Sequence, residues 1–384
     1  MCSTCKSSTV RKNGIIVREI MTKKGRVKLK VQAYRCHNGH YFLSRKVKLW
    51  DDLFIEAVVY IYLRCLSLNT TIAIVRMWCE EDVLTKGLIL EFIEAVSDSL
   101  PTLDDIDRLF SPVRSGYVAF DGVWFEFMGE QIVLLVAFDP ETFDVISARW
   151  ERDETQVGYE LLITDVVNKM GATKIKGTYG DGDKGLIGAL NHLLPSVPFQ
   201  MCVFHKELKM GMIVPVKSVK VSRKLTAFQK HDIKVFQLLF RDVIYAETKN
   251  KSVEALERLK QYAKKIQNEK FLKAIRSLVH NFKYTLTHFD HPNMRRDNNL
   301  LESFNSYLKP RLRLMKGFKK KENLDRYLKL FLLEFRFHTL RESSFKERNG
   351  SSPLQLADVY LPKYYNFLTF LRTRLNLSYQ LKKS

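Results

Sequence analysis

The spacing of apolar positions divides the chain into stretches of different period. Near the N-terminus, "RVKLKVQAY" (residues 26–34) alternates strictly, the period of a strand with one covered face. From residue 50 to 100 the period lengthens: Leu53, Phe54, Ala57, Val58 and Ile61 fall on one helical stripe, Asn69 and Thr70 offer a cap, and another helix opens near Thr85. This spacing suits a helix-turn-helix and equally a plain helical hairpin. Pro101 and the "SPVRSG" segment around Pro112 interrupt the pattern and predict a domain boundary.

Beyond Gly116 the signal becomes that of strands: "YVAFDGVWFEF", "QIVLLVAF" and "FDVISARW", separated by the turn sequences "MGE" and "DPET". A helical stretch "GYELLITDVVNKM" follows, then a strand "TKIKGTY", a helix in "GDGDKGLIGALNHLL" and a strand in "VPFQMCVF". Three strands, helix, strand, helix, strand is the order of a ribonuclease H-like fold. The expected class is α/β (α+β), a mixed sheet with flanking helices.

Charge narrows the function. The 63 Lys and Arg against 42 Asp and Glu leave a net +21, the footprint of a protein that works on a polyanion. The excess is uneven. Residues 1–48 hold thirteen bases and one acid, Glu19, and residues 309–321 hold seven bases and no acid, whereas residues 80–110 hold nine acids and two bases. A single charge run is commonly just a solvated face, but two separate basic blocks favour a DNA path. The longest apolar runs, such as residues 132–138, are far short of the roughly 20 residues a bilayer needs, and no signal-peptide core precedes them. The expectation is an unexported protein with no membrane partner.

Six cysteines in such a chain argue for metal binding or burial over disulfides. Cys65 and Cys79 lie in apolar helical patterns and read as core. Cys2 and Cys5 form a CxxC knuckle, and Cys36 with His40 in "YRCHNGHYF" offers a second pair, a spacing that fits a zinc ribbon. A segment this short and charged needs such a staple to fold. With the first ligand already at Cys2, loss of an upstream portion is one reading of the start.

The acids become meaningful in the order of elements. Asp121 falls on the first strand of the core and Asp181 just past the fourth, so neighbouring strands would bring them together, although a carboxylate in "FDG" or "GDG" alone is more often a turn residue. A third acid comes from "RRDNNLLESFNSYLKPRLRLMKGFKK". There helical spacing sets Asn298, Glu302 and Asn305 on one polar face, directly before the basic block. Asp139, Asp183 and Glu126 are nearby acids that do not fit this pattern, and Asp139, preceding Pro140, reads as a turn.

At these residues the chain resembles the prokaryotic insertion-sequence transposases of the Mutator-like group of DDE enzymes. "GDGDKGLIGALNHLLPSVPFQMCVFHKELK" resembles the group's second block through Asp181, Gly182, Lys184, Gly185, Leu186, Cys202 and His205. "NNLLESFNSYLKPRLRLMKGF" resembles the third through Glu302, and "YVAFDGVWFEF" the first through Asp121. The resemblance covers residues 117–338, and a leading zinc ribbon is found in only some related transposases.

It implies cleavage at element ends and joining of the 3′-hydroxyls to target DNA at one site. Two Mg²⁺ or Mn²⁺ ions would sit there, bridged by Asp121 and each fixed by Asp181 or Glu302. It also implies a helical insertion before the final Glu at residues 207–283, at least a homodimer to hold two DNA ends, and a cytoplasmic, nucleoid-associated place in a prokaryotic cell.

The expected domains are a zinc-ribbon DNA-binding module (1–48, with Zn²⁺), a helical module (49–112), the catalytic core (113–206 and 284–345), the insertion (207–283) and a helical C-terminal segment (346–384). Lys184, Lys309, Arg311, Arg313 and Lys316 are candidates to reach phosphates. The Cys202–His205 pair stays open between half a zinc site, a DNA contact and a strand-end packing pair; its place in the resemblance favours a structural or DNA-positioning role. Two rivals remain: a transposase-derived DNA-binding protein that no longer cuts, and a ribonuclease H-fold nuclease without strand transfer.

Overall fold

The computed structural model describes residues 1–2, 4–22, 25–44, 50–64, 67–79, 84–216, 225–315, 317–343, 345–362 and 365–373. Cys65, the acidic residues 80–82 and Lys316 lie outside them. The chain divides into two compact units, one of residues 1–106, 314–339 and 361–384, the other of residues 107–313 and 340–360.

In the first unit the alternating segment forms a long antiparallel hairpin, β1 (Val10–Thr22) with β2 (Gly25–Cys36), extended by the short β3 (Tyr41–Leu43). Opposed residues share a face, so the register puts Ile16, Ile20, Leu29 and Val31 on one side and Lys12, Ile15, Val17, Lys28 and Lys30 on the other.

Three helices follow, α1 (Asp52–Leu63), α2 (Leu68–Cys79) and α3 (Lys86–Ser99). Thr85 caps α3 as its sequence predicts, accepting the Leu88 N–H at 3.1 Å. α2 starts earlier than the Asn69–Thr70 expectation, because Ser67 accepts the Thr70 N–H at 3.0 Å. α1 is also rotated from its expected stripe, burying Phe54, Val58, Val59, Tyr62 and Leu63. Trp50 stacks on Phe54 at 5.3 Å and meets Phe92 of α3 edge-on, which draws that side of the helix inward.

After α4 (Leu103–Phe110), the second unit is built on a five-stranded sheet ordered β6-β5-β4-β7-β8. β4 (Tyr117–Phe127), β5 (Glu130–Asp139) and β6 (Asp144–Glu151) form the expected antiparallel meander. Its first turn places Met128 and Gly129 at φ 53° and 86°, the two positive values of a tight hairpin turn.

Asp139 is fully buried and accepts N–H groups of Ser115, Glu141 and Thr142, so its turn reading has a physical basis. α5 (Gln156–Met170) then crosses to β7 (Gly177–Gly180), which runs parallel to β4, and α6 (Lys184–Leu193) crosses to β8 (Phe199–Met201), parallel to β7. This mixed sheet is the ribonuclease H-like arrangement. The apolar run of β5 is buried on both faces: Val133, Leu135 and Ala137 join the core under α5 and α6.

β8 is shorter than the expected strand. Cys202 donates its N–H to Gly180 O at 2.8 Å, and helix α7 (Val203–Ile213) begins at once. α8 (Ala227–Ile244), α9 (Lys249–Ile266) and α10 (Glu269–Val279) pack with α7 around one apolar core, with Phe236 stacked on Phe271 at 4.1 Å. After α11 (Thr287–Asp290), α12 (Asn299–Met315) carries the third acid, and its Phe304 packs on Phe138 of β5.

α13 (Lys321–Phe337) belongs to the first unit and packs on α1 and α3. Its Lys329 Nζ donates to Ser97 O and Leu100 O, where the last turn of α3 leaves carbonyls free to accept. Among the described residues no helix is long and apolar enough to cross a membrane.

Candidate active site and metal centre

Parallel pairing of β4 with β7 matches Ala119 to Tyr179. Continued two residues, the same register brings Asp121, inside β4, level with Asp181, just past the end of β7. Glu302, in the first turn of α12, joins them: its charge and that of Asp181 both act on Asp121, whose carboxyl is pushed up to about 7 by burial first and by these two anions next. Asn305, one turn along α12, donates Nδ2 to Asp121 Oδ2 at 2.6 Å and fixes the helix face to the strand. Asp183 donates its N–H to Asp181 Oδ1 at 2.9 Å, but its carboxylate has another role. It caps α6, accepting the N–H groups of Gly185 and Leu186, and is thereby occupied.

The Cys-x-x-His pair lies at the junction of β8 and α7, within this site. His205 Nε2 is 3.1 Å from Glu302 Oε1. Burial opposes a charge on His205, but the Cys202 sulfur and the Glu302 carboxylate outweigh it and raise the imidazole to about 11. The same hydrogen bond holds the Glu302 carboxyl below its ordinary value. Cys202, almost fully buried, accepts the Asn298 N–H at 3.2 Å. Both residues of the pair therefore grip the start of α12 and set where Glu302 stands.

Several polar atoms here are buried without a partner: both amide atoms of Asn298 and Oδ1 of Asn305. A buried carboxyl raised by two anionic neighbours, beside unsatisfied amides, makes a place whose charge a cation would relieve. Hard oxygen donors of this kind fit Mg²⁺ or Mn²⁺.

In the first unit, Cys2, Cys5, Cys36 and His40 place their ligand atoms within 4.8 Å of one another. Cys5 and Cys36 sulfurs are 3.7 Å apart, and Cys36 Sγ is 3.5 Å from His40 Nδ1. The Cys5 backbone N–H, outweighing burial, lowers the Cys2 thiol to about 6, so a thiolate forms readily. This cluster can hold a metal ion, and three sulfurs with one imidazole are a soft donor set.

A family model described as Transposase, Mutator family, matches residues 3–338. The chain belongs to the Mutator family of transposases. No curated protein matches the chain. The family match begins at residue 3, inside the CxxC knuckle, so Cys5, Cys36 and His40 lie within the matched length and Cys2 just outside it.

For this Mutator-family transposase, DNA binding, cutting and joining are the general activity. Lys184 is exposed at the first residue of α6, and Lys309 and Arg313 are exposed on α12. Lys309 is near enough to Glu302 to favour its charged form. Arg311 differs: it is 4% exposed, donates Nη1 to Tyr307 O at 2.6 Å and lies over the Tyr307 ring.

Two residues of the site escaped the sequence reading. Glu154, just before the Thr155 cap of α5, accepts the Tyr159 hydroxyl at 3.1 Å and lies against Gly122, where any Cβ would overlap its carboxylate. Burial and then the Asp181 charge raise its carboxyl, making it a fourth acid at the centre. Gln200, fully buried in β8, donates to Thr285 O and Arg296 O and accepts the His288 N–H, holding the segment that leads into α12.

Proposed function

We propose that the chain cuts the ends of a mobile DNA element and joins the freed 3′-hydroxyls to target DNA, with Asp121, Asp181 and Glu302 as the acids that hold two Mg²⁺ or Mn²⁺ ions. The observation that carries this reading is the approach of three acids from distant segments, in which Asp121 is raised by burial and then by its two anionic neighbours.

When bound, such ions activate a water and stabilise the leaving oxygen of a phosphodiester. The protein's share is placement. Asn305 fixes Asp121, while His205 holds Glu302 as a carboxylate ready to ligate. Cys202 and Gln200 set the entry to α12, and Lys309 and Lys184 offer positive charge toward the DNA backbone.

In this reading the Cys2, Cys5, Cys36, His40 cluster takes Zn²⁺ as a structural crosslink for residues 1–48, which deliver DNA together with the helical module 49–112. The core, 113–206 with 284–345, performs the chemistry around the insertion 207–283. Two copies act together to hold two element ends.

The test is cleavage and joining of labelled DNA carrying the element's ends with Mg²⁺, comparing the parent chain with Asp181→Asn and Glu302→Gln. The expected result is nicked and joined products from the parent, lost in both variants while DNA binding persists. Binding without cutting by the parent, in Mg²⁺ and in Mn²⁺, would overturn the reading in favour of a non-cutting DNA-binding derivative. Cutting without joined products would leave a nuclease.

A further inference from the structure

The β1–β2 hairpin has two unlike faces. One carries Val31, buried to 1%, with Ile16, Ile20 and Leu29 partly covered. The opposite face exposes Lys12, Ile15, Val17, Glu19, Lys28 and Lys30 along its middle, with Gln32 and Tyr34 half-buried toward one end and Met21 buried at the other.

The hairpin is held at both ends. At one end β2 runs into Cys36 of the Cys/His cluster, and at the other Met21 is buried and bridges to Trp50. The length between is bare. Ile15 is 64% and Val17 52% exposed, an unusual state for β-branched residues in the middle of an ordered ladder.

The charge says what covers this face. On that face Lys12, Arg26, Lys28 and Lys30 stand against one acid, Glu19, which is already engaged by Arg26 at 3.4 Å and Lys28 at 3.9 Å. A protein partner would need a matching acidic strip, whereas duplex DNA carries regular negative charge along its whole length. The twelve residues of β2 span about 40 Å at the usual strand rise, slightly more than one turn of B-DNA, and a two-stranded ribbon fits the major groove. Aliphatic side chains between lysines suit the sugar edges and thymine methyl groups of a groove wall.

Deepening the reading of the chain as a DNA-acting transposase, we infer that this outward face of the β1–β2 ribbon docks duplex DNA, with Lys12, Lys28 and Lys30 on phosphates and Ile15 and Val17 against the groove. The ribbon, clamped at both ends, acts as a preformed rail. Its contribution is electrostatic and depends weakly on sequence.

The experiment measures binding of the zinc-loaded full chain to a fluorescent duplex oligonucleotide of arbitrary sequence across a salt series. The variants are K12A/K28A/K30A and the charge-preserving K12R/K28R/K30R, each checked for retained zinc. Three lost phosphate contacts should reduce the slope of log K against log salt by about 2.7, while the arginine variant keeps the parent slope. An alanine variant with the parent slope overturns the inference. So does an arginine variant that falls as far as the alanine one, since charge would then not be the cause.

Cleavage of element-end DNA by the same preparations separates this inference from the function it rests on. A parent that cuts, with a slope indifferent to the three lysines, removes the rail and leaves the transposase. A slope that follows the lysines in a parent that never cuts keeps the rail and removes the catalytic reading.

Discussion

The molecule contains a Cys/His cluster that could hold a metal ion and an acid cluster that we propose does so, and they are built on opposite principles. The Cys2, Cys5, Cys36, His40 cluster draws on a single short stretch of chain, with ligand atoms already within 4.8 Å of one another. The acid cluster draws on β4, the end of β7 and α12, with 180 residues between Asp121 and Glu302, and the charges of Glu302 and Asp181 raise the Asp121 carboxyl. The first holds a small, highly charged sheet that has little core of its own. The second sits on a sheet buried on both sides that does not need it. A ligand set that makes the fold and a ligand set that strains it should respond to substitution in opposite ways.

The largest effect is expected at the first cluster. Removing zinc, or Cys36→Ser, should unfold the β1–β2–β3 sheet, since structural zinc in small modules supplies about 10 kcal/mol of folding free energy. Limited proteolysis should then cut within residues 1–43 and spare the second unit. Protection of that sheet in a chain shown to be free of zinc would break the comparison.

At the second cluster, Asp181→Asn or Glu302→Gln should lower cleavage by about a thousandfold or more, a change of roughly 4 kcal/mol in the barrier, with no loss of folding. A variant that instead melted early would show that these acids carry structure as the cysteines do.

The two clusters also differ in how much of them was legible in sequence. CxxC with a second pair about thirty residues on gives the first almost complete, because its ligands are local and chemically distinctive. β4 was legible in full from its alternation, and with it the position of Asp121. The helical spacing put Glu302 and Asn305 on one face, and that side of α12 meets Asp121.

What sequence did not reveal arises from contacts between elements. The covered side of α1 was set by Trp50 and Phe92 and not by its own apolar stripe. The pairing of His205 with Glu302 needs β8 to end early and turn into α7. Glu154 is a partner only because Gly122 leaves room for it and Tyr159 reaches it. Arg311 looked like a phosphate ligand in the basic block, but the helix turns it onto Tyr307.

The strain in the acid cluster has a pH signature. Folded Asp121 keeps its proton up to about 7, against an ordinary value of 3.8, so between those values the folded state binds more protons than the unfolded one. Without divalent metal, stability should therefore fall as pH rises through that window and level off above it. Asp121→Asn should flatten the dependence and raise the melting temperature at pH 8 by a few degrees, although it abolishes cutting. Mg²⁺ should stabilise the parent more at pH 8 than at pH 5, because only the deprotonated set ligates well. Thermal melts across pH, with and without Mg²⁺, test all three statements, and an Asp121→Asn chain that is less stable at pH 8 would oppose them.

The smallest effect is expected at the fourth acid. Glu154→Gln keeps the shape, can still accept the Tyr159 hydroxyl and removes one charge beside Asp181. If Glu154 only packs, the variant should match the parent in rate and in metal requirement. If it adds negative charge that draws the ions in, cleavage should fall roughly tenfold at limiting Mg²⁺, a change of about 1.4 kcal/mol, and recover as Mg²⁺ is raised. That metal-dependent recovery is the expected outcome, and it sets Glu154 apart from Asp181 and Glu302, whose loss extra Mg²⁺ should not repair. Equal rates for parent and variant at every Mg²⁺ concentration would return Glu154 to a purely structural place against Gly122 and leave the acid cluster with three members.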